Sequence, residues 1–415
     1  MKSRTSRRMA VVASVCAITL LAASCRGGTN DTQSIGSSGG TVEVTSILDV
    51  TGPLNGFGLG MQDATRLAVK DINASGGVLG KKLHLNELDS QSDNAKYSVL
   101  ARQAVADDSV VVQGGITSAS REVIRPIFDQ AKLLYFYNIL YEGGLCDKNT
   151  FSTGEVPTQQ LAPLLKWATD QGKKKWYVLA ANYNYGQISA DWVKKYAKEN
   201  GAEIVGGPSF FDLATTNFAS EMPKIQNSGA DLIVSLLVGG AHQSFYKQWS
   251  AAGLNKSTTI VSPTFGSAGE NMAIGKDSAA IYSAFSYFPA ATPASGDKLA
   301  TAWAAAGYKD ALTPAAVATW NGWHLWAEGV KKAGSTDHDK VVKALESGLA
   351  FDGPGGTVSI DPGTHQVVMP IKLWVGTKSG YFKQVEVLSD KSEPTFEQSK
   401  CDLITNPDTN QQFIP

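Results

Sequence analysis

The sequence is short of the residues from which catalytic and metal sites are built. Its five histidines, His84, His242, His324, His338 and His365, are scattered over 415 residues, and no two stand at a metal-ligand spacing. There is no HExxH, no CxxC and no GxSxG elbow, so zinc-protease, thioredoxin-like and α/β-hydrolase chemistries have no motif to rest on. No metal site and no cofactor is implied. Charge is sparse as well: 18% of residues are charged, and the net charge is −1. Nothing in this balance therefore suggests nucleic acid or another polyanionic partner. Cysteine is scarce, with four residues. The apolar run from Met9 to Leu21 is too short to span a membrane comfortably.

What is present begins at that run. Lys2, Arg4, Arg7 and Arg8 precede it, and the small residues Ala22, Ala23 and Ser24 follow. This is the pattern of an export signal over residues 1–25. Cys25 directly after LAAS resembles a bacterial lipobox, which implies that Cys25 is lipidated and becomes the mature N-terminus. Residues 26–40, rich in Gly, Ser, Thr and Asn, read as a flexible tether holding an extracytoplasmic body off a membrane. Cys16 leaves with the signal and Cys25 takes lipid, so the body keeps only Cys146 and Cys401. Two cysteines in an oxidising compartment suggest a disulfide.

The body is globular, with 43% hydrophobic residues, and too long for one ordinary core. Strand-like and helix-like runs alternate. The stretch SVVVQGGITSASREVIRPIFDQAKLLYFYNILYEGG, residues 109–144, holds a complete βαβ unit. Val110–Val112 and Leu133–Tyr137 read as buried parallel strands, because a strand covered on both faces needs no polar alternation. Between them, hydroxyl residues open a helix carrying Val123, Ile124, Ile127 and Phe128 on one face. Ser118 lies at that helix N-terminus, beyond the end of a strand, where open α/β sheets bind ligands. Tyr137 and Tyr141 close the second strand. After Gly154 the alternation starts again, and two successive α/β sheets imply two lobes with a cleft between them. GFGLG at Gly56–Gly60 imitates a dinucleotide loop but has Met61 where the third glycine belongs.

TSASRE, LYEGG and NTFSTGEVPTQQ together resemble the urea- and short-amide-binding branch of the type I periplasmic binding proteins. These are solute receptors of ABC importers, related to the branched-chain amino acid binders. VLAANYNYG, SLLVGGAHQSFYKQW, SPTFGSAG and SAFSYFPAATPAS extend the likeness over roughly residues 42–390. The resemblance implies a two-lobed α/β fold, each lobe a mostly parallel sheet flanked by helices, with three crossovers between lobes. Lobe 1 is then 41–155 with 287–353, lobe 2 is 156–286 with 354–400, and 401–415 is a C-terminal tail. It implies no catalysis, and as partners a small solute, an ABC permease with its ATPase, and the membrane through the lipid. The cleft residues expected are Thr51 and Asn55 in the first loop, Ser118, Tyr137 and the backbone of Ile139, then Tyr183, Gly240 and Tyr287. The solute favoured is urea or a short amide, with Ser118 meeting a carbonyl or carboxylate oxygen. The family's acidic residue before a late aromatic is missing, since Val317 stands at that place before Trp320. Two other readings stay open: a branched-chain or other amino acid binder of the same family, and an exported two-lobed α/β hydrolase.

Overall fold

The computed structural model describes residues 40–294 and 296–415. The expected signal, Cys25 and the tether up to residue 39 lie outside the described residues. No helix among the described residues is long and apolar enough to cross a membrane.

The first lobe is built from β1 (Thr41–Leu48), α1 (Asn55–Ala74), β2 (Lys82–Asp89), α2 (Asn94–Ala106), β3 (Val111–Gly114), α3 (Ser118–Ala131), β4 (Leu134–Tyr137), β5 (Leu145–Asp147) and β6 (Thr150–Ser152). Its sheet runs β2-β1-β3-β4-β6, with every pairing parallel. β3 and β4 are buried along their whole length, as a parallel strand covered on both faces is, with Gln113 the one buried amide side chain in β3. The glycines that open α1 serve packing. A Cβ on Gly58 would lie 2.0 Å from the Asp49 carbonyl oxygen, so only glycine lets this helix come so near β1. That contact accounts for the glycine-rich turn without a nucleotide.

The second lobe contains α4 (Leu161–Asp170), β7 (Lys175–Ala181), α5 (Asn184–Asn200), β8 (Glu203–Phe211), α6 (Glu221–Ser228), β9 (Leu232–Leu236), α7 (Gly240–Ala251), β10 (Thr259–Val261), α8 (Glu270–Ile274) and β11 (Ile281–Phe285). Its parallel core runs β11-β10-β9-β7-β8. The chain then returns to the first lobe through α9 (Lys298–Ala306), α10 (Pro314–Ala333) and α11 (His338–Leu345), with α10 packed along α1. β12 (Ala350–Gly353), β13 (Gly356–Ile360), β14 (Val367–Gly376) and β15 (Phe382–Ser392) follow. They add an antiparallel edge to the second sheet, β14 pairing with β11. The architecture is thus two lobes of parallel-dominated sheet flanked by helices. β12 already belongs to the second sheet, so the last passage comes a few residues earlier than 354.

The C-terminal tail carries one unexpected pairing and the expected disulfide. After α12 (Thr395–Lys400), β16 (Asn410–Gln412) pairs antiparallel with β5 of the first lobe. A disulfide joins Cys146 to Cys401, with Cα atoms 5.5 Å apart across 255 residues of sequence. The last residues therefore strap the end of the second sheet to the first lobe.

Candidate functional site

The two lobes meet at the N-terminus of α3. Thr117 caps that helix, its hydroxyl accepting from the Ser120 N–H at 3.0 Å, which leaves Ser118 as the first helical residue facing the cleft. From the first lobe Phe57, Ile116, Ser118, Tyr137, Ile139 and Leu140 line a cavity. Tyr183, Tyr185, Val238, Thr264 and Ser267 close it from the second. Its free volume is about 20 Å³, on a measure where one water needs roughly 10–15 Å³. On the far side of Tyr183 a second cavity of about 150 Å³ opens among Asp49, Ser92, Asn94, Tyr97 and Thr117.

Behind Ser118 sits a buried ion pair. The Arg121 and Glu142 side chains are both 0% exposed, with Nη2 to Oε1 at 2.7 Å. Ser118 Oγ donates to the other carboxylate oxygen of Glu142. Gln412, from the C-terminal strand, donates to Oε1 at 2.6 Å. Burial works against charge on Glu142, but Arg121 and these hydrogen bonds outweigh it and hold its pKa below the ordinary value. Burial likewise works against the Arg121 guanidinium, which Glu142 nevertheless keeps firmly protonated. The guanidinium also lies 5.1 Å from the Tyr137 ring centroid and 4.7 Å from that of Tyr141, placing a cation on each aromatic face.

The Ser118 hydroxyl has one proton, and an ionised carboxylate cannot donate one back. Ser118 therefore turns an acceptor lone pair, not a donor, toward the cavity. The sequence leads one to expect this hydroxyl to meet a solute oxygen; the proton that would do so is engaged with Glu142. Tyr137 is similarly committed, its hydroxyl donating to the Ile116 carbonyl at 2.7 Å, so that proton is not on offer to the cavity it lines. Burial raises the pKa of both Tyr137 and Tyr183, keeping the phenols neutral.

Of the residues expected in the cleft, Ser118, Tyr137, Ile139 and Tyr183 come together around the first cavity. Thr51, Asn55, Gly240 and Tyr287 do not line it. Thr51 is exposed and ties its turn to Asp89, donating from Oγ1 at 2.6 Å and from its N–H at 3.2 Å. Asn55 is exposed at the start of α1. Gly240, exposed, opens α7 just past Gly239, the glycine that stands against Leu54. Tyr287 is buried with Leu299, Trp303 and Val317, and its hydroxyl donates to Asp297 at 2.6 Å. It packs away from the cavity. Arg121 and Gln412 are not singled out by the sequence reading. Arg121 lies three residues beyond Ser118 on one helix face, and the acid of YEGG was its available counter-charge. Nothing in the sequence pointed to Gln412.

In the second cavity, Asp49 is 1% exposed. Oδ1 accepts from the Ser90 hydroxyl and from the Ser92 N–H, and Oδ2 has no partner among the described residues. Burial pushes its pKa up. His242 is buried against the Tyr246 hydroxyl at 3.0 Å, and burial lowers its pKa to about 3. It is a neutral core residue.

Residues 41–380 match the family described as periplasmic binding protein. Among its relatives, the Leu/Ile/Val-binding protein homolog 6 of Brucella abortus is 23% identical over 316 residues, 73% of this chain and 80% of that one. A solute-binding protein of an ABC transporter from Rhodopseudomonas palustris, solved with 3,4-dihydroxybenzoic acid, superposes with a TM-score of 0.76 at 23% identity, covering 86% of this chain and 99% of the other. The Leu-, Ile-, Val-, Thr- and Ala-binding protein of Brucella ovis, in a closed conformation, gives a TM-score of 0.73 at 19% identity, covering 85% and 97%.

Proposed function

The chain belongs to the periplasmic binding protein family, solute receptors of ABC transporters and not enzymes, and we propose that its solute is urea or a short-chain amide. One observation carries this reading: the Ser118 proton is spent on Glu142, so the site presents an acceptor at the mouth of α3. An N–H of urea or an amide satisfies that acceptor, whereas a carboxylate oxygen would be set against it. The remaining helix-end N–H groups suit the solute carbonyl, and the rings of Tyr137 and Tyr183 suit a flat molecule. No charged side chain lines this cavity, and burying a zwitterion there would leave its charges unpaired.

Asp49 supports a second reading. A solute reaching past Tyr183 into the adjoining cavity could set an ammonium against the free Oδ2 of Asp49, which is what an amino acid needs. Calorimetric titration with urea, acetamide, leucine and 4-hydroxybenzoate separates the two. Binding of urea or acetamide with no heat from leucine or the benzoate is the expected result. Leucine bound alone overturns the amide assignment in favour of the second reading. On this proposal the receptor is held outside the cytoplasm by lipid on Cys25 and hands its solute to an ABC permease driven by its ATPase.

A further inference from the structure

We infer that the C-terminal strand is part of the solute site, with Gln412 acting as a positioning residue that fixes Ser118 through Glu142. The inference rests on placing the solute between α3 and Tyr183, as proposed above. A glutamine amide both donates and accepts, and here it does both. Nε2 donates to Glu142 Oε1 at 2.6 Å and to the Gly143 carbonyl at 2.9 Å. Oε1 accepts from Arg121 Nη2 at 3.1 Å. Gln412 thus closes a ring with the carboxylate and the guanidinium, and the second oxygen of that carboxylate takes the Ser118 proton. Without Gln412 the carboxylate can turn on its own axis, and the orientation of the Ser118 hydroxyl is no longer fixed.

Three further ties hold the strand where Gln412 can do this. β16 pairs with β5, setting Gln412 opposite Leu145. The Phe413 N–H donates to the Gly144 carbonyl at 2.8 Å. Cys401 is bonded to Cys146 on the same β5. The tail therefore arrives at Glu142 from the far end of the sequence, and the disulfide limits how far it can leave.

The experiment compares the full-length protein with Gln412→Ala, Gln411→Ala, Ser118→Ala and the Gln412→Ala/Ser118→Ala double variant. Gln411 lies on the same strand but is exposed, so it controls for damage to β16 itself. Hydrogen exchange by mass spectrometry, without solute, is read over residues 116–122 and 137–144. Faster exchange in those two segments for Gln412→Ala, and none for Gln411→Ala, is the expected result. Equal exchange in both variants and the parent overturns the inference. Titration with urea and acetamide gives the second readout. Gln412→Ala should bind about tenfold more weakly, and its effect should vanish in the Ser118→Ala background. Additive losses would mean that Gln412 does not act through Ser118, and the inference fails. If the parent binds neither probe while the exchange result holds, the solute assignment fails and the positioning role stands.

Discussion

At the scale of single residues, the cleft is organised by donors that are already committed. Arg121 Nη2 and Glu142 pair out of water, an interaction that stabilises little over an apolar one but is costly to break from one side. Its consequence is directional: it fixes which end of the Ser118 hydroxyl faces the solute. Tyr137 follows the same logic, since its hydroxyl is bonded to the Ile116 carbonyl at 2.7 Å. Tyr137→Phe keeps the ring and should leave solute affinity within about threefold of the parent, while stability falls by about 1 kcal/mol for the unpaired carbonyl. Tyr137→Ala removes the wall and should cost about 1–3 kcal/mol of binding. Calorimetry on both variants decides it, and equal losses would mean that the hydroxyl, not the ring, meets the solute.

At the scale of elements, close approach explains more than motif. α1 lies so near β1 that a methyl on Gly58 would overlap the Asp49 carbonyl, at 2.0 Å. Gly58→Ala should therefore destabilise by about 2–4 kcal/mol in urea denaturation, and an unchanged midpoint would show that the helix can simply slide away. The same elements show what a sequence can tell. β3, β4 and β9 are buried throughout and mostly apolar, Gln113 and Ser235 being the polar exceptions, so each is read from its own residues. β5 and β16 span three residues each, too few for any period, and exist because each pairs with the other from far along the sequence. Tyr287 fails for a related reason. An aromatic beyond β11 can turn toward the cleft or under α9, and only the placement of Leu299 and Trp303 decides. Ser118, Tyr137 and Tyr183 were expected at strand ends and helix starts and do border the first cavity, whereas Asn55 and Gly240, also at helix starts, do not. Gln412 was not legible, because 270 residues separate it from Glu142.

At the scale of the molecule, the questions are where the receptor is held and what governs the passages between its lobes. Lipid on Cys25 should give membrane-extracted protein a mature N-terminus at that cysteine with added acyl mass. A soluble form starting elsewhere, found by mass spectrometry, sinks the anchor. The passages carry a buried acid. Glu155 lies between β6 and α4, and its carboxylate accepts from the Ser286 N–H, just past β11, at 3.4 Å. The first and second passages thus touch at a carboxyl group that is 4% exposed. Burial raises its pKa to about 7, more than the two backbone hydrogen bonds lower it. The sign follows from the proton count. Between the ordinary carboxylate range and about pH 7 the folded chain keeps a proton that the unfolded chain has lost, so this group's contribution to stability falls as pH rises. Below that window both states are protonated and nothing is lost; above it the penalty is constant, at most about 3 kcal/mol. Glu155→Gln retains an oxygen for Ser286 but never ionises. It should match the parent near pH 4.5 and exceed it at pH 8 in denaturant titrations run at both values. A difference that is the same at the two pH values would show that Glu155 reaches water, and that the contact between the passages carries no buried charge.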